Sequence, residues 1–338
     1  MKGDHNPDLL EAVLRSDSLY GGEFRAVEIR DAAPTKRWGG QKIKNSLQPV
    51  LYWFLRKMPE SLALLPFYLI TGIARLAYPL RRNPLRCSCE ALCKIAAVAG
   101  ISHEAREIHD QFLRNVISAA KSYRDLLRGK SADVLDRVDT GDVDRSVGAL
   151  VTEGRPFMLF VPHNLAAIYG GVALTRMLPL LIVARNSKTI RRTKLALDVY
   201  ERINAKVLMV RGSNPFEIAR AMYSALGDGN VLVATVDNVD PGWGISTGIF
   251  GVDVEFAPWA AKIAAKRRVP VVPMYFHSDG EGVRIVCGEP LETNDTAAAV
   301  RHYVNFFEQR ILQDPASWAY LADRKWSRVL RAAAGEAS

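Results

Sequence analysis

What most constrains the fold of this chain is a repeated alternation in its second half, where short runs that are apolar from end to end give way to segments with helical spacing. "FMLFV" precedes a helical pattern at about 165–177, "LPLLIVA" one at about 188–203, and "KVLMV" the segment "NPFEIARAMYSAL". "NVLVATV" then leads into a glycine-rich loop, the helical "APWAAKIAAKRR" is followed by strands "VPVVPMYF" and "GVRIVCG", and a last helix spans about 295–313. Continuous apolar strands separated by helices require a sheet covered on both faces, hence a largely parallel one. The expected fold class is α/β, a mostly parallel central sheet flanked by helices, with an N-terminal helical membrane-proximal extension. At 338 residues and 49% hydrophobic, the chain can bury a core of that size.

The first 130 residues differ in character. Residues 1–45 are mostly polar and glycine-containing, "NPDLLEAVLRSDS" being the one stretch able to make a short helix, and are expected to be a poorly ordered arm. The start, "MKGDHNPDLLEAV", carries acids and no apolar core, unlike a secretory signal, so the expected setting is cytosolic. Residues 46–130 read as a helical membrane-associating region and 131–330 as the α/β domain. Within the former, 61–80 have the length of a bilayer span, which needs about 20 apolar residues, but Pro66 and Arg75 fall inside. Aromatics beside Arg56, Lys57, Arg81, Arg82 and Arg86 suit a helix lying at the headgroup level; a true span and an ordinary buried hairpin are the alternatives. Residues 102–128 form a helical seam through Ala105, Ile108, Phe112, Val116, Ala119, Tyr123 and Leu126, with Ser102 as its expected cap and Gly129 as its end.

In doubly covered sheets ligands collect outside the carboxyl ends of the strands. His163, Arg185 and Asp237 each follow a strand immediately. His163, in "VPHNLAAIYG", is the candidate general base, yet no Asp or Glu stands nearby to fix its tautomer. Arg185 and Asn186 offer a charged fork and an amide that can bind phosphate or a developing oxyanion, or belong to a solvated helix face capped by Ser187. Asp237 and Asn238 can orient His163, hold Arg185, bind a cation, or simply make a turn. The segments "GIFGV" and "APWAA" suit either an acyl-sized groove or plain core. Cys87, Cys89 and Cys93 cluster in "RCSCEALC", but no fourth ligand with zinc-like spacing lies near, so neither a metal nor a disulfide is expected.

A formal charge of +9 favours an anionic partner. An anionic membrane surface and an acidic carrier protein both qualify. Nucleic acid has only this charge behind it, with no recognised motif, and is not expected.

In order along the chain, "GIARLAYPLRRNPLRCSCEAL", "EGRPFMLFVPHN", "VLVATVDN", "GIFGVDVEFAPWAAKIAAKRRVPVVPMYF", "GEGVRIVCGEPLE" and "PASWAYLADRKWS" resemble segments of the lipid A lauroyl- and myristoyltransferases, a branch of the lysophospholipid acyltransferase-like superfamily. The resemblance covers roughly residues 61–328. It implies an acyltransferase at the cytoplasmic face of the bacterial inner membrane, peripheral or single-span. The acyl group would move from an acyl carrier protein or CoA thioester, a co-substrate rather than a cofactor, to a hydroxyl of a lipid-like acceptor. His163 would be the general base, with Asp237 as its catalytic partner; Arg185, Asn186, Asn238, Phe250, Gly251 and Arg324 would contact substrate. The alternative is a catalytically inactive relative that binds lipid or acyl chains or scaffolds a partner.

This chain departs from the family pattern at three points. The motif is His, four residues, then Asp or Glu, and Ile168 occupies the acid's place. Val236 replaces a proline, and Asp323 a histidine of the tail. Loss of the carboxylate behind such a His costs on the order of 10^4 in turnover. Three compensations are open: Asp237 reaching across from its strand end, a backbone carbonyl or the Tyr169 phenol fixing the tautomer, or an acceptor as acidic as a phenol or thiol.

Overall fold

A computed structural model describes residues 50–336 except 82, 186–189, 211–214, 240–241 and 243. The expected arm, with Asn186 and Ser187, lies outside the described residues. Helical residues 50–57 lead into α1 (Glu60–Leu76), α2 (Pro84–Val98) and α3 (Ala105–Leu127). Pro84 opens α2, where its missing N–H is no loss, and the Asn83 side chain accepts from the N–H groups of Leu85 and Arg86. The Asn83 cap and Pro84 thus separate α1 from α2. The α3 seam is present, but its N-cap is Glu104 rather than Ser102. Its end is a Schellman turn: Gly129 has φ 77°, and the N–H groups of Gly129 and Lys130 reach back to the carbonyls of Leu126 and Asp125.

Short α4 (Ser131–Leu135) and β1 (Val138–Asp139) follow, then α5 (Gly141–Thr152), β2 (Met158–Val161), α6 (Ala167–Met177), β3 (Leu180–Ala184), α7 (Ile190–Arg202), β4 (Lys206–Met209), α8 (Pro215–Gly227) and β5 (Val231–Thr235). The hairpin β6 (Ile245–Ile249) and β7 (Val252–Phe256) leads to α9 (Trp259–Arg267), β8 (Val271–Ser278), β9 (Val283–Cys287), α10 (Thr296–Gln313), two 3-10 turns (Pro315–Ser317 and Ala319–Ala322) and α11 (Arg324–Ala333). The main sheet runs β1-β9-β8-β2-β5-β3-β4, parallel throughout except for the antiparallel β8–β9 pair.

Both faces are covered, as the unbroken apolar runs require. In β2, Met158 and Phe160 join one core cluster while Leu159 and Val161 join the other. The first cluster also takes Cys89 and Leu92 of α2, Ile108 and Phe112 of α3, and Trp326 of α11. A boundary at residue 130 therefore does not separate two cores: α2 and α3 share the first cluster with sheet residues, α2 packing on α3, α10 and α11, and α3 on the turn at Pro315–Ser317. Helix α1 differs. Ala63 and Leu64 dock beside Ala120 and Leu127 of α3, but Leu62, Leu65, Leu69, Ile70, Ile73 and Leu76 stay exposed. Among the described residues, no helix is long and apolar enough to cross a membrane.

Candidate active site

The site starts from a strand register. In the β2–β5 pair Val161 lies opposite Thr235, and the Val236 N–H extends the ladder to the Val161 carbonyl at 3.1 Å. Two residues further on each strand, where the alternation returns to the same face, stand His163 and Asp237. A proline at 236 would have no N–H to give, so Val236 adds a rung next to the pair.

The two side chains meet. His163 Nδ1 lies 2.5 Å from Asp237 Oδ1, and the His163 backbone N–H donates to Asp237 Oδ2 at 2.9 Å. Oδ2 also accepts from Trp318 Nε1 at 3.1 Å, and Trp326 Nε1 donates to the Asp237 backbone carbonyl at 3.1 Å. A carboxylate only 3% exposed is thus met by three donors, as a buried charge must be. With Nδ1–H committed to Asp237, Nε2 is the ring's free acceptor.

Tyr320 covers one face of that ring. The two rings stack at 4.1 Å between centroids and 23° between planes. The phenol oxygen is 3.1 Å from both His163 Nε2 and Asn238 Oδ1. The hydroxyl is within reach of both acceptors, and the near-parallel rings favour Asn238 Oδ1 as the one that takes its proton. Burial, then the nearby Asp237 and Asp323 charges, push the Tyr320 phenol up, so it remains a hydroxyl. The turn carrying it is laced to the base: Leu165 N–H donates to the Ser317 carbonyl and Ala319 N–H to the His163 carbonyl, at 3.0 and 2.7 Å.

His163 helps to line a cavity of about 910 Å³. Its walls are mainly apolar, from Ile168 and Leu174 of α6, Leu180 and Ile182 of β3, and Val199 of α7. Sites for small molecules typically run from about 300 to 1,000 Å³ with few polar groups. Helix α6 can sit close to the sheet because residue 170 is glycine; a Cβ there would collide with the Phe276 ring.

The other residues picked from the sequence divide. Arg185 and Asn238 line this cavity. Phe250 and Gly251 do not: with φ of 56° and 79° they form the two-residue β6–β7 turn, and the Phe250 ring packs toward Trp318 and Trp326. Arg324 is exposed at the first turn of α11, whereas its neighbour Lys325 is a lining residue. Tyr169 is buried in the core and, unlike its neighbour Ile168, does not line the cavity; the ring is held at Nδ1 by Asp237. Asp323 caps α11, accepting from the N–H groups of Lys325 and Trp326. Trp318, Tyr320 and Lys325 had no sequence signal beyond lying in the tail "PASWAYLADRKWS".

The family model for bacterial lipid A biosynthesis acyltransferases matches residues 41–328. This chain belongs to that family. A comparison with curated proteins returned no match. The match takes in every strand end and cavity wall just described, from β2 to Lys325. As in the sequence comparison, the family's motif acid is absent: Ile168 is half-exposed at the cavity wall, and the carboxylate beside the imidazole comes from β5 instead of α6.

Proposed function

We propose that this acyltransferase moves a fatty acyl group from an acyl carrier protein or CoA thioester to a hydroxyl of a lipid-like acceptor, with His163 as general base and Asp237 as its orienting carboxylate. The observation that carries this reading is an imidazole held at Nδ1 by a buried carboxylate at the wall of a largely apolar cavity. In the first step Nε2 takes the acceptor's hydroxyl proton as its oxygen attacks the thioester carbonyl carbon. The negative charge gathers on the carbonyl oxygen, and Asp237 stabilises the imidazolium. Arg185 and Lys325, both cavity-lining cations, are the side chains suited to meet that oxyanion or an anionic group of either substrate. Collapse of the intermediate breaks the carbon–sulfur bond, and the proton on Nε2 passes to the departing thiolate. With Asp237 in this role, an ordinary sugar or lipid hydroxyl suffices as acceptor.

The exposed apolar face of α1, with Arg56, Lys57 and Arg81 nearby in sequence, supports peripheral attachment to an anionic bilayer. A Leu69→Asp, Ile73→Asp double variant is expected to lose co-sedimentation with vesicles containing anionic lipid while its turnover of detergent-dispersed substrates holds. Unchanged sedimentation would remove α1 as the attachment element.

The deciding experiment compares wild type with His163→Ala, using an acyl carrier thioester and a bacterial lipid extract, with labelled acyl product as the readout. Product from wild type and a loss on the order of 10^3 or more in the variant are expected. No product from either, with acyl chains still bound, would favour the inactive lipid-binding relative. Equal product from both would remove His163 from the chemistry.

A further inference from the structure

One group that the proposed chemistry leaves unused is Tyr320, whose ring lies flat on the imidazole and whose hydroxyl touches both Nε2 and Asn238. We infer that Tyr320 is a positioning residue of the base: its ring face stabilises the imidazolium formed at His163, and the hydroxyl bond to Asn238 assists the stack without being required for it. This inference rests on the acyl-transfer reading.

One geometric fact and two chemical arguments support it. First, an imidazole held only at Nδ1 can still swing about that bond; a ring packed 4.1 Å above its face removes the remaining freedom. The Ala319 N–H bond to the His163 carbonyl ties the backbone next to the stacking residue to that of the base. Second, the charge on His163 changes during the cycle, from neutral to +1 and back. An aromatic face attracts a cation and is close to indifferent to a neutral ring, so the stack favours the protonated state selectively. Third, the phenol stays protonated because burial and the Asp237 and Asp323 charges oppose its ionisation. Tyr320 is therefore a donor to Asn238 rather than a competing base. Asn238 then has a structural task at the cavity wall, distinct from the substrate contact expected of it. The charged groups around this unit are Asp237 at Nδ1, Asp323 near the phenol, and Arg185 and Lys325 in the cavity lining.

The test uses Tyr320→Phe, which keeps the ring face, and Tyr320→Leu, which keeps bulk without it, each checked by its thermal midpoint for intact folding. Cation–aromatic energies correspond to roughly 3- to 30-fold in rate, so Tyr320→Leu is expected to lose about tenfold in kcat with KM little changed. Tyr320→Phe is expected to stay within about threefold. The acid limb of the pH–rate profile should move to lower pH in the leucine variant, because the imidazolium is harder to form, and stay in place in the phenylalanine variant. Histidine-labelled NMR of the unreacted protein supplies a readout apart from turnover: the His163 ring protons should lose their ring-current shift in Tyr320→Leu and keep it in Tyr320→Phe. A leucine variant with wild-type kcat and an unmoved acid limb would overturn the inference, as would a phenylalanine variant that falls as far as the leucine one. His163→Ala separates the two levels. If it abolishes turnover while Tyr320→Leu behaves as wild type, acyl transfer stands and the role of Tyr320 falls; if it leaves turnover unchanged, the underlying reading has failed instead.

Discussion

His163 and His277 sit at the ends of neighbouring strands, β2 and β8, and each holds an aspartate through Nδ1, at 2.5 Å from Asp237 and 2.6 Å from Asp314. Their exposures are similar, 34% and 40% of the side chain. Around the carboxylates the resemblance ends. Asp237 is 3% exposed and takes further bonds from Trp318 Nε1 and the His163 N–H, whereas Asp314 is 15% exposed at the end of α10. His163 opens on the apolar cavity; His277 is not among the residues that line it. Asp314 and Ser317 instead fasten the turn carrying Trp318 and Tyr320 to β8, through His277 and the Ser278 N–H. A His–Asp contact is thus no signature of chemistry by itself. The difference lies in whether the carboxylate is buried and over-determined and whether the far nitrogen has somewhere to deliver a proton.

Removing each carboxyl in turn should split the pairs most sharply. Asp237→Asn is expected to lower kcat on the order of 10^3 to 10^4, since the amide no longer selects the Nδ1–H tautomer or balances the imidazolium. Combined with His163→Ala it should add little, because the two act as a unit. Asp314→Asn should leave turnover within about threefold. Comparable losses from the two variants would erase the distinction and make the second pair part of the machinery.

A smaller effect belongs to the other pair. The Asp314 hydrogen bond raises the His277 pKa above its ordinary value, against the opposing pull of desolvation. A histidine raised on folding contributes stability that is fully present below its unfolded pKa and is lost as pH rises through the folded one. Asp314→Asn should therefore lower the thermal midpoint near pH 5 and hardly at all near pH 9. With His277 exposed by more than a third, the acid-side cost is expected at about 1 kcal/mol or less. A penalty independent of pH would mean that Asp314 works through its neutral contacts alone.

Much of this was legible in the sequence. The apolar runs at β2, β3, β4, β5 and β8 lie where expected, because a strand buried on both faces has few other ways to be written. His163, Arg185 and Asp237 were recognisable from standing immediately after such runs. The union of His163 with Asp237, 74 positions apart, was not, since it depends on β2 pairing with β5 in one register and no local pattern encodes a partner strand. The apolar, aromatic stretch before residue 130 reads as membrane-associating as a whole; that α2 and α3 have protein partners on α10, α11 and the Pro315–Ser317 turn depends on chain segments about 200 positions away. Phe250 and Gly251 looked like a binding segment, yet left-handed backbone at both makes them a hairpin turn. Trp318 and Tyr320 were invisible as site residues, because the tail returns to β2 from over 150 positions away.

The rung donated by Val236 has a consequence for how this molecule can change. Where a helix supplies the acid, its opening turn must serve the imidazole and shape the groove at once. Here the carboxylate beside His163 stands just beyond a central strand, and Ala167, Ile168 and Gly171 bring no charge to the cavity wall. That wall of α6 becomes free to be recut for a wider, narrower or greasier guest, while the His163–Asp237 pair goes undisturbed.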